Sequence, residues 1–332
     1  MKKILVSILS DHLVPNYLFI KEKRGQYNEL LFIETTYIKE KKGAAHLEQA
    51  LRKEEDSVLK VLVESDNYQK GLQSLENANL PKDVHYIVNL TGGTKIMSLM
   101  VYDFFRKFNS TFYYIPIGKN IYCNIEKGEM EPLRYRISLK EYFTLYGLLF
   151  ECDNNLLKDT KKTLDLFKKQ KNRNFYLSKE ITGSQQASTA EDRRYYSGAW
   201  FEEYTYLRIK EELALQDEDI AMSLKIYRND LGQNDNEIDV AFMFENTLHI
   251  IECKVSMNGY GKEPQHIIEN YLYKLAAVSK DFGLIVRPYI FTLHKMDMLS
   301  EHSRENIKKR MRILGICNIV SGKELSEQKI KF

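Results

Sequence analysis

The sequence predicts an α/β protein of two domains, each built on its own sheet, and three observations carry the prediction. The chain has 332 residues, more than one hydrophobic core commonly serves. Through residues 1–150, short β-branched apolar runs alternate with helical stretches, the pattern of a parallel sheet of Rossmann-like type. After a polar, weakly hydrophobic stretch, a second set of elements begins in a different order, with a helix first and then a run of strands.

In the first domain, Lys3 to Ile8 reads as a buried strand, followed by a polar loop, Ser10 to Asn16, and a helix. Leu30 to Thr35 and Val58 to Val63 read as strands, with helices over Ala44 to Arg52 and Tyr68 to Asn77. His85 to Leu90 is a clear strand running into Thr91-Gly92-Gly93-Thr94-Lys95, with an apolar helical segment from Ile96 to Phe108 and a last strand over Phe112 to Ile117. Residues 151–195 read as a connection: a lysine-rich helix over Lys158 to Lys171, whose charges suit a solvated face, and then a linker over Thr182 to Thr189. The second domain, 196–332, opens with a helix over Ala199 to Leu215. Strands follow near Ala221 to Tyr227, Glu237 to Phe244 and Leu248 to Val255. A helix over Pro264 to Lys280, a strand over Gly283 to Val286 and a further strand and helix complete it.

Bulk composition narrows the function classes. Net charge is only +3, so any affinity for nucleic acid has to come from local clustering. The four cysteines are far apart with no CxxC pair, which argues against a zinc knuckle and for a reducing, cytoplasmic setting. The N-terminus starts with two lysines and a short apolar run, yet Ser10-Asp11-His12 interrupts it too soon for a signal peptide. No later run approaches the roughly 18 apolar residues of a membrane span, so no membrane partner is expected.

The strongest chemical signal lies in the second domain. In a strand, Glu252 and Lys254 point to one face and Cys253 to the other. Folding the chain about a short turn near Glu245-Asn246-Thr247 sets Asp239 opposite position 252 or 253, while its neighbours Ile238 and Val240 can enter the core. Two carboxylates and an ammonium then converge on an apolar sheet, a grouping suited to phosphodiester hydrolysis. Asp239 and Glu252 can hold a hard divalent cation, Mg²⁺ or Mn²⁺, and Lys254 can orient water or stabilise developing charge. A carboxylate from the preceding helix, Glu202 or Glu203, would complete the set. Lys274, on the Pro264 to Lys280 helix, reads as a solvated lysine within reach of a phosphate.

In the first domain, Thr91-Gly92-Gly93-Thr94-Lys95 links a strand to a helix. Its glycines admit close approach of a phosphate to backbone N–H groups at a helix N-terminus, although the spacing is not that of a Walker A motif. In a parallel sheet the loop carrying Ser10, Asp11, His12 and Asn16 opens at the same edge, beyond the carboxyl ends of the strands, which suggests one pocket.

These residues carry a resemblance. Glu202, Asp239, Glu252 and Lys254 look like the E…D…E-x-K core of the PD-(D/E)XK restriction-endonuclease-like superfamily, with the motif proline before Asp239 absent. The Ser10-Asp11…Pro15-Asn16 loop together with Asn89-Leu90-Thr91-Gly92-Gly93-Thr94-Lys95 resembles the CARF domain, the sensor of cyclic oligoadenylates in type III CRISPR defence. The whole chain is thus similar to the CARF nucleases activated by cyclic tetra-adenylate. The resemblance implies an N-terminal CARF domain with a parallel sheet and a C-terminal restriction-endonuclease-like domain with a mixed sheet. It also implies a homodimer with the ligand across its two-fold axis, bound by Ser10, Asp11, Asn16, Thr91, Gly92, Gly93, Thr94 and Lys95. The implied activity is Mn²⁺- or Mg²⁺-dependent cleavage of DNA, single-stranded RNA or both. Two other readings are compatible with such a sensor: a ring nuclease that destroys the cyclic ligand, and a non-catalytic transcription regulator.

Overall fold

The computed structural model describes residues 1–52, 58–172, 187–228, 234–257, 263–327, 330 and 332. The chain divides into two compact units, Met1–Leu148 and Leu149–Phe332. The linker read over 182–189 lies outside the described residues as far as 186.

The first unit contains β1 (Lys3–Ile8), α1 (Val14–Glu22), β2 (Glu29–Glu34), α2 (Thr36–Glu40), α3 (Gly43–Ala50), β3 (Val58–Leu62), α4 (Tyr68–Asn77), β4 (His85–Asn89), α5 (Lys95–Phe105), β5 (Ser110–Tyr114), β6 (Ile121–Asn124), β7 (Glu129–Pro132) and α6 (Leu139–Leu145). Its sheet has the order β3-β2-β1-β4-β5-β6-β7. The five strands from β3 to β5 are parallel, and β6 and β7 add an antiparallel hairpin at one edge. That hairpin is absent from the sequence reading because β7, Glu129–Pro132, is exposed throughout and carries no apolar alternation. β1 and β2 are nearly continuous apolar runs because helices cover both faces of a parallel sheet. Successive strands proceed outward from β1 to β2 and β3, and the chain then returns to place β4 on the other side of β1. The loops after β1 and β4 therefore flank the point where strand order reverses, the usual ligand position in an open parallel sheet.

β8 (Leu148–Glu151) begins the second sheet, whose order is β13-β12-β11-β10-β9-β8. The remaining elements are α7 (Thr160–Asn172), α8 (Ala190–Arg194), α9 (Trp200–Glu212), β9 (Ile220–Arg228), β10 (Asn234–Phe244), β11 (Thr247–Lys254), α10 (Pro264–Ser279), β12 (Val286–Thr292), α11 (Glu301–Leu314), β13 (Asn318–Ser321) and α12 (Gly322–Glu327). The sheet is mixed: β9, β10 and β11 are antiparallel neighbours, whereas β12 and β13 run parallel to β11. One core face gathers Trp200, Phe201, Tyr204 and Ile209 of α9 with Val240, Phe242, Ile251 and Cys253. The lysine-rich α7 is part of this unit. Leu166 and Phe167 enter the same core, and Phe167 stacks on Tyr204 with centroids 3.7 Å apart. β12 forms seven residues long at Val286–Thr292, later than the strand read at Gly283 to Val286.

Among the described residues, no helix is long and apolar enough to cross a membrane.

Candidate active site and sensor loop

The hairpin that carries Asp239, Glu252 and Lys254 is set by its turn. Glu245 and Asn246 both have positive φ, 50° and 58°, the two-residue arrangement whose twist matches that of antiparallel strands. Asn tolerates this conformation better than most residues, and it supplies the local signal. The turn pairs Phe244 with Thr247, and counting back along the ladder reaches Val240 opposite Ile251. Val240 and Ile251 are both fully buried on the α9 side. Asp239, Glu252 and Lys254 consequently share the opposite face, because side chains alternate along a strand.

There the three groups meet. Lys254 Nζ lies 2.8 Å from Glu252 Oε1 and 3.4 Å from Asp239 Oδ2. The Cys253 backbone N–H donates to Asp239 Oδ2 at 2.7 Å, which fixes the carboxylate against the neighbouring strand. Glu252 is only 4% exposed. Burial first, and then the Glu252 charge, raise the Asp239 carboxyl above its ordinary value, with Lys254 and the Cys253 N–H opposing. For Lys254, burial works against the charge, but Asp239 and Glu252 outweigh it and hold the ammonium above the usual lysine range.

The two candidate helix carboxylates differ in their surroundings. Burial first, and then the charge of Asp239, raise the Glu202 carboxyl above its ordinary value. Glu203 is buried elsewhere. Its Oε1 accepts the Leu157 N–H at 2.6 Å, and its Oε2 accepts from Thr163 Oγ1 at 2.9 Å, where Thr163 also meets the Tyr195 hydroxyl. Glu203 thus ties residues 157–163 to the helix that presents Glu202. Replacing it with Ala removes the acceptor of the half-buried Leu157 N–H and one partner of the buried Thr163 hydroxyl, and Glu203→Ala is expected to destabilise the second unit by roughly 2 kcal/mol in urea denaturation. Glu203→Gln, which keeps an acceptor for Leu157, should lose about 1 kcal/mol.

Two residues of α10 complete the site. The Lys254 ammonium stands over the Tyr271 ring, 5.1 Å from its centroid, and Lys274 Nζ reaches both oxygens of Glu252, at 3.2 and 3.4 Å. Sequence alone suggests a solvated Lys274 and does not single out Tyr271. Both follow from α10 burying Ile268, Leu272, Leu275 and Ala276 as one stripe, which sets the intervening positions 271 and 274 beside the stripe. Among the described residues, no group of three or more His, Cys, Asp or Glu side chains is drawn together as a metal cage. The site offers two hard oxygen-donor carboxylates, Asp239 and Glu252, on one face, a donor type that suits Mg²⁺ or Mn²⁺.

In the first unit, the loop after β4 abuts the end of β1. Gly92 has φ +104°, and a Cβ there would lie 2.4 Å from the Ile8 carbonyl oxygen. Gly93, at φ +64°, would meet the Ile8 side chain at 2.6 Å. Thr94 caps α5, its hydroxyl accepting the Met97 N–H and donating to the Ser65 carbonyl. Gly93, Thr94 and Lys95 are exposed at this helix start. Ser10 lies beside Gly92, its Oγ 3.4 Å from where a Cβ would stand.

The other sensor candidates are engaged within the protein. Asn16 is fully buried and donates to the carbonyls of Ile8 and Thr91, bracing one loop against the other, while its Oδ1 is buried without a hydrogen-bond partner. Thr91 Oγ1 accepts the Ile115 N–H at 2.7 Å. Asp11 is exposed and held by Lys41 and the Tyr37 hydroxyl, both at 3.1 Å.

Residues 4–142 match the family model of the Card1 CARF domain, and residues 189–329 match that of the Card1-like endonuclease domain. The chain belongs to the CARF-linked endonucleases of the Card1 type. Similar solved structures bear out the architecture of both domains. Protein VC1899 from Vibrio cholerae superposes with a TM-score of 0.74 at 19% identity, covering 98% of this chain and 95% of that one. Can2 from Sulfobacillus thermosulfidooxidans, solved with cyclic tetra-adenylate, gives a TM-score of 0.74 at 21% identity, covering 99% and 100%. A type III CRISPR defence DNA nuclease activated by cyclic oligoadenylate gives 0.60 at 16% identity, covering 88% of this chain and 45% of the other. No curated protein is matched by sequence. The N-terminal CARF domain thus carries the parallel-rich sheet, and the endonuclease domain carries the mixed one.

Proposed function

We propose that this CARF-linked endonuclease is an ancillary effector of type III CRISPR defence, a metal-dependent nuclease switched on by cyclic tetra-adenylate. The observation that carries the catalytic half is the convergence of Asp239, Glu252 and Lys254 on one face of the β10–β11 hairpin, the E…D…E-x-K arrangement of PD-(D/E)XK nucleases. The glycine loop at the start of α5, set where the strand order reverses, supports the sensor half.

In this reading Asp239 and Glu252 hold Mn²⁺ or Mg²⁺, which when bound supplies Lewis acidity and a more acidic water. Lys254, kept charged by its two carboxylate neighbours, stabilises negative charge as water adds to phosphorus and the bond to the leaving oxygen breaks. Glu202 adds a further carboxylate beside Asp239. In the sensor, backbone N–H groups of Gly92 to Lys95 and the α5 N-terminus receive ligand phosphates. Ser10 and Lys95 line the same edge, and Asn16 and Thr91 hold the two loops in place. The protein acts as a homodimer with one cyclic ligand between paired sensor domains, and binding reorients the nuclease domains. DNA is the proposed substrate, with single-stranded RNA as a second.

Incubation with supercoiled plasmid and labelled single strands in Mn²⁺, with and without cyclic tetra-adenylate, tests the reading. Cleavage is expected only when both metal and ligand are present. Equal cleavage without ligand would remove the gating claim and leave the nuclease. Loss of the ligand itself, with no nucleic acid cut, would make the protein a ring nuclease.

A further inference from the structure

Glu252 is held by two ammonium groups, and the second comes from outside the hairpin. Lys254 approaches one carboxylate oxygen, and Lys274 of α10 spans both. The two lysines differ in setting. Lys254 is enclosed, with 23% of its side chain exposed, against the face of the Tyr271 ring and beside Asp239. The Lys274 side chain is 51% exposed and has Glu252 as its ion-pair partner. A divalent cation on Glu252 needs the oxygens that Lys274 covers, and a cation brought beside that ammonium meets like-charge repulsion. Lys274 can withdraw into water at little cost, because it is half solvated already and sits on a long flexible stem.

We propose that Lys274 is the resident counter-ion of Glu252, a removable cation that keeps the site closed to metal until it is drawn away. The proposal rests on the reading of Asp239 and Glu252 as metal ligands. Without metal, Lys274 neutralises a carboxylate that burial would otherwise leave costly. When metal is held, Lys274 swings clear and presents its charge on the α10 side of the site, where a nucleic-acid phosphate can take it up. The exchange is reciprocal, so a phosphate that engages Lys274 strengthens metal binding by the same factor.

Calorimetric titration of Mn²⁺ into the full-length protein, without nucleic acid, tests this directly. Lys274→Met removes the competing charge and keeps a good helix former. It should bind Mn²⁺ about two- to fivefold more tightly than wild type, the range set by a partly exposed ion pair. Lys274→Arg should restore the weaker, wild-type affinity, which a merely structural loss would not do. In cleavage assays the Met variant should raise KM with kcat little changed, since the phosphate contact is gone. Equal or weaker Mn²⁺ binding by Lys274→Met overturns the proposal while leaving the metal site intact. Absence of binding in wild type and variant alike overturns the metal reading beneath it, and Asp239→Asn serves as the reference for a site that no longer binds.

Discussion

Glu252→Gln is expected to lower phosphodiester cleavage by about a thousandfold or more while leaving the protein folded. Glu252 is the residue on which the site converges: its carboxylate is 4% exposed, contacts Lys254 and Lys274, and adds to the shift of Asp239. Gln keeps the shape and one acceptor oxygen but removes the charge a divalent cation requires. Folding should survive, because Lys254 retains Asp239 and Lys274 is half exposed. Asp239→Asn should fall as far, since its carbonyl can still accept the Cys253 N–H and only the charge is lost. The double variant should be no worse than either single one, as expected of groups acting as a unit. The measurement is single-turnover cleavage of labelled DNA with ligand and Mn²⁺, and thermal melting checks the fold. Cleavage within tenfold of wild type in either variant would place the chemistry elsewhere.

How far the sequence discloses this site depends on the range of the interactions that build it. The hairpin is legible because its determinants are local: a two-residue turn, an alternating apolar ladder and an E-x-K spacing that shares a face. The choice between Glu202 and Glu203 is far less so: spacing favours Glu202 only modestly, because adjacent helix positions look alike until their partners are known. Glu203 is claimed by Leu157 and Thr163, about forty residues upstream, and no local pattern announces that clasp. Lys274 illustrates the same limit across α10, where the buried stripe shows which positions flank it but not which strand residue they meet. β12 starts later than the sequence suggests and contains Pro288, although proline argues against a central strand. Pro288 lies just before the ladder to β13 begins at Tyr289, and its carbonyl accepts the Cys317 N–H at 2.9 Å. In the sensor, glycines marked the loop but could not reveal that Asn16 and Thr91 spend their side chains bracing it.

Gly92→Ala should abolish the response to cyclic tetra-adenylate, with ligand affinity falling about a hundredfold and the nuclease domain unaffected. Two independent costs act at this position. Its φ of +104° lies where an L residue is strained, and its Cβ would stand 2.4 Å from the Ile8 carbonyl oxygen. That oxygen cannot retreat, because it belongs to the end of β1 and accepts the Asn16 amide at 2.9 Å. The loop must therefore lift away from β1, carrying with it the N–H groups at the start of α5 that are proposed to meet the phosphates. Gly128→Ala is the matching control: its φ of +68° imposes a similar backbone strain, yet nothing lies within 4 Å of the added carbon. It should cost stability alone, about 1 kcal/mol, and leave ligand affinity as it was. Calorimetric titration of the cyclic ligand into both full-length variants separates the cases. Unchanged affinity in Gly92→Ala would mean that the ligand does not lie against this loop, and the sensor site would have to be sought elsewhere along the carboxyl edge of the sheet.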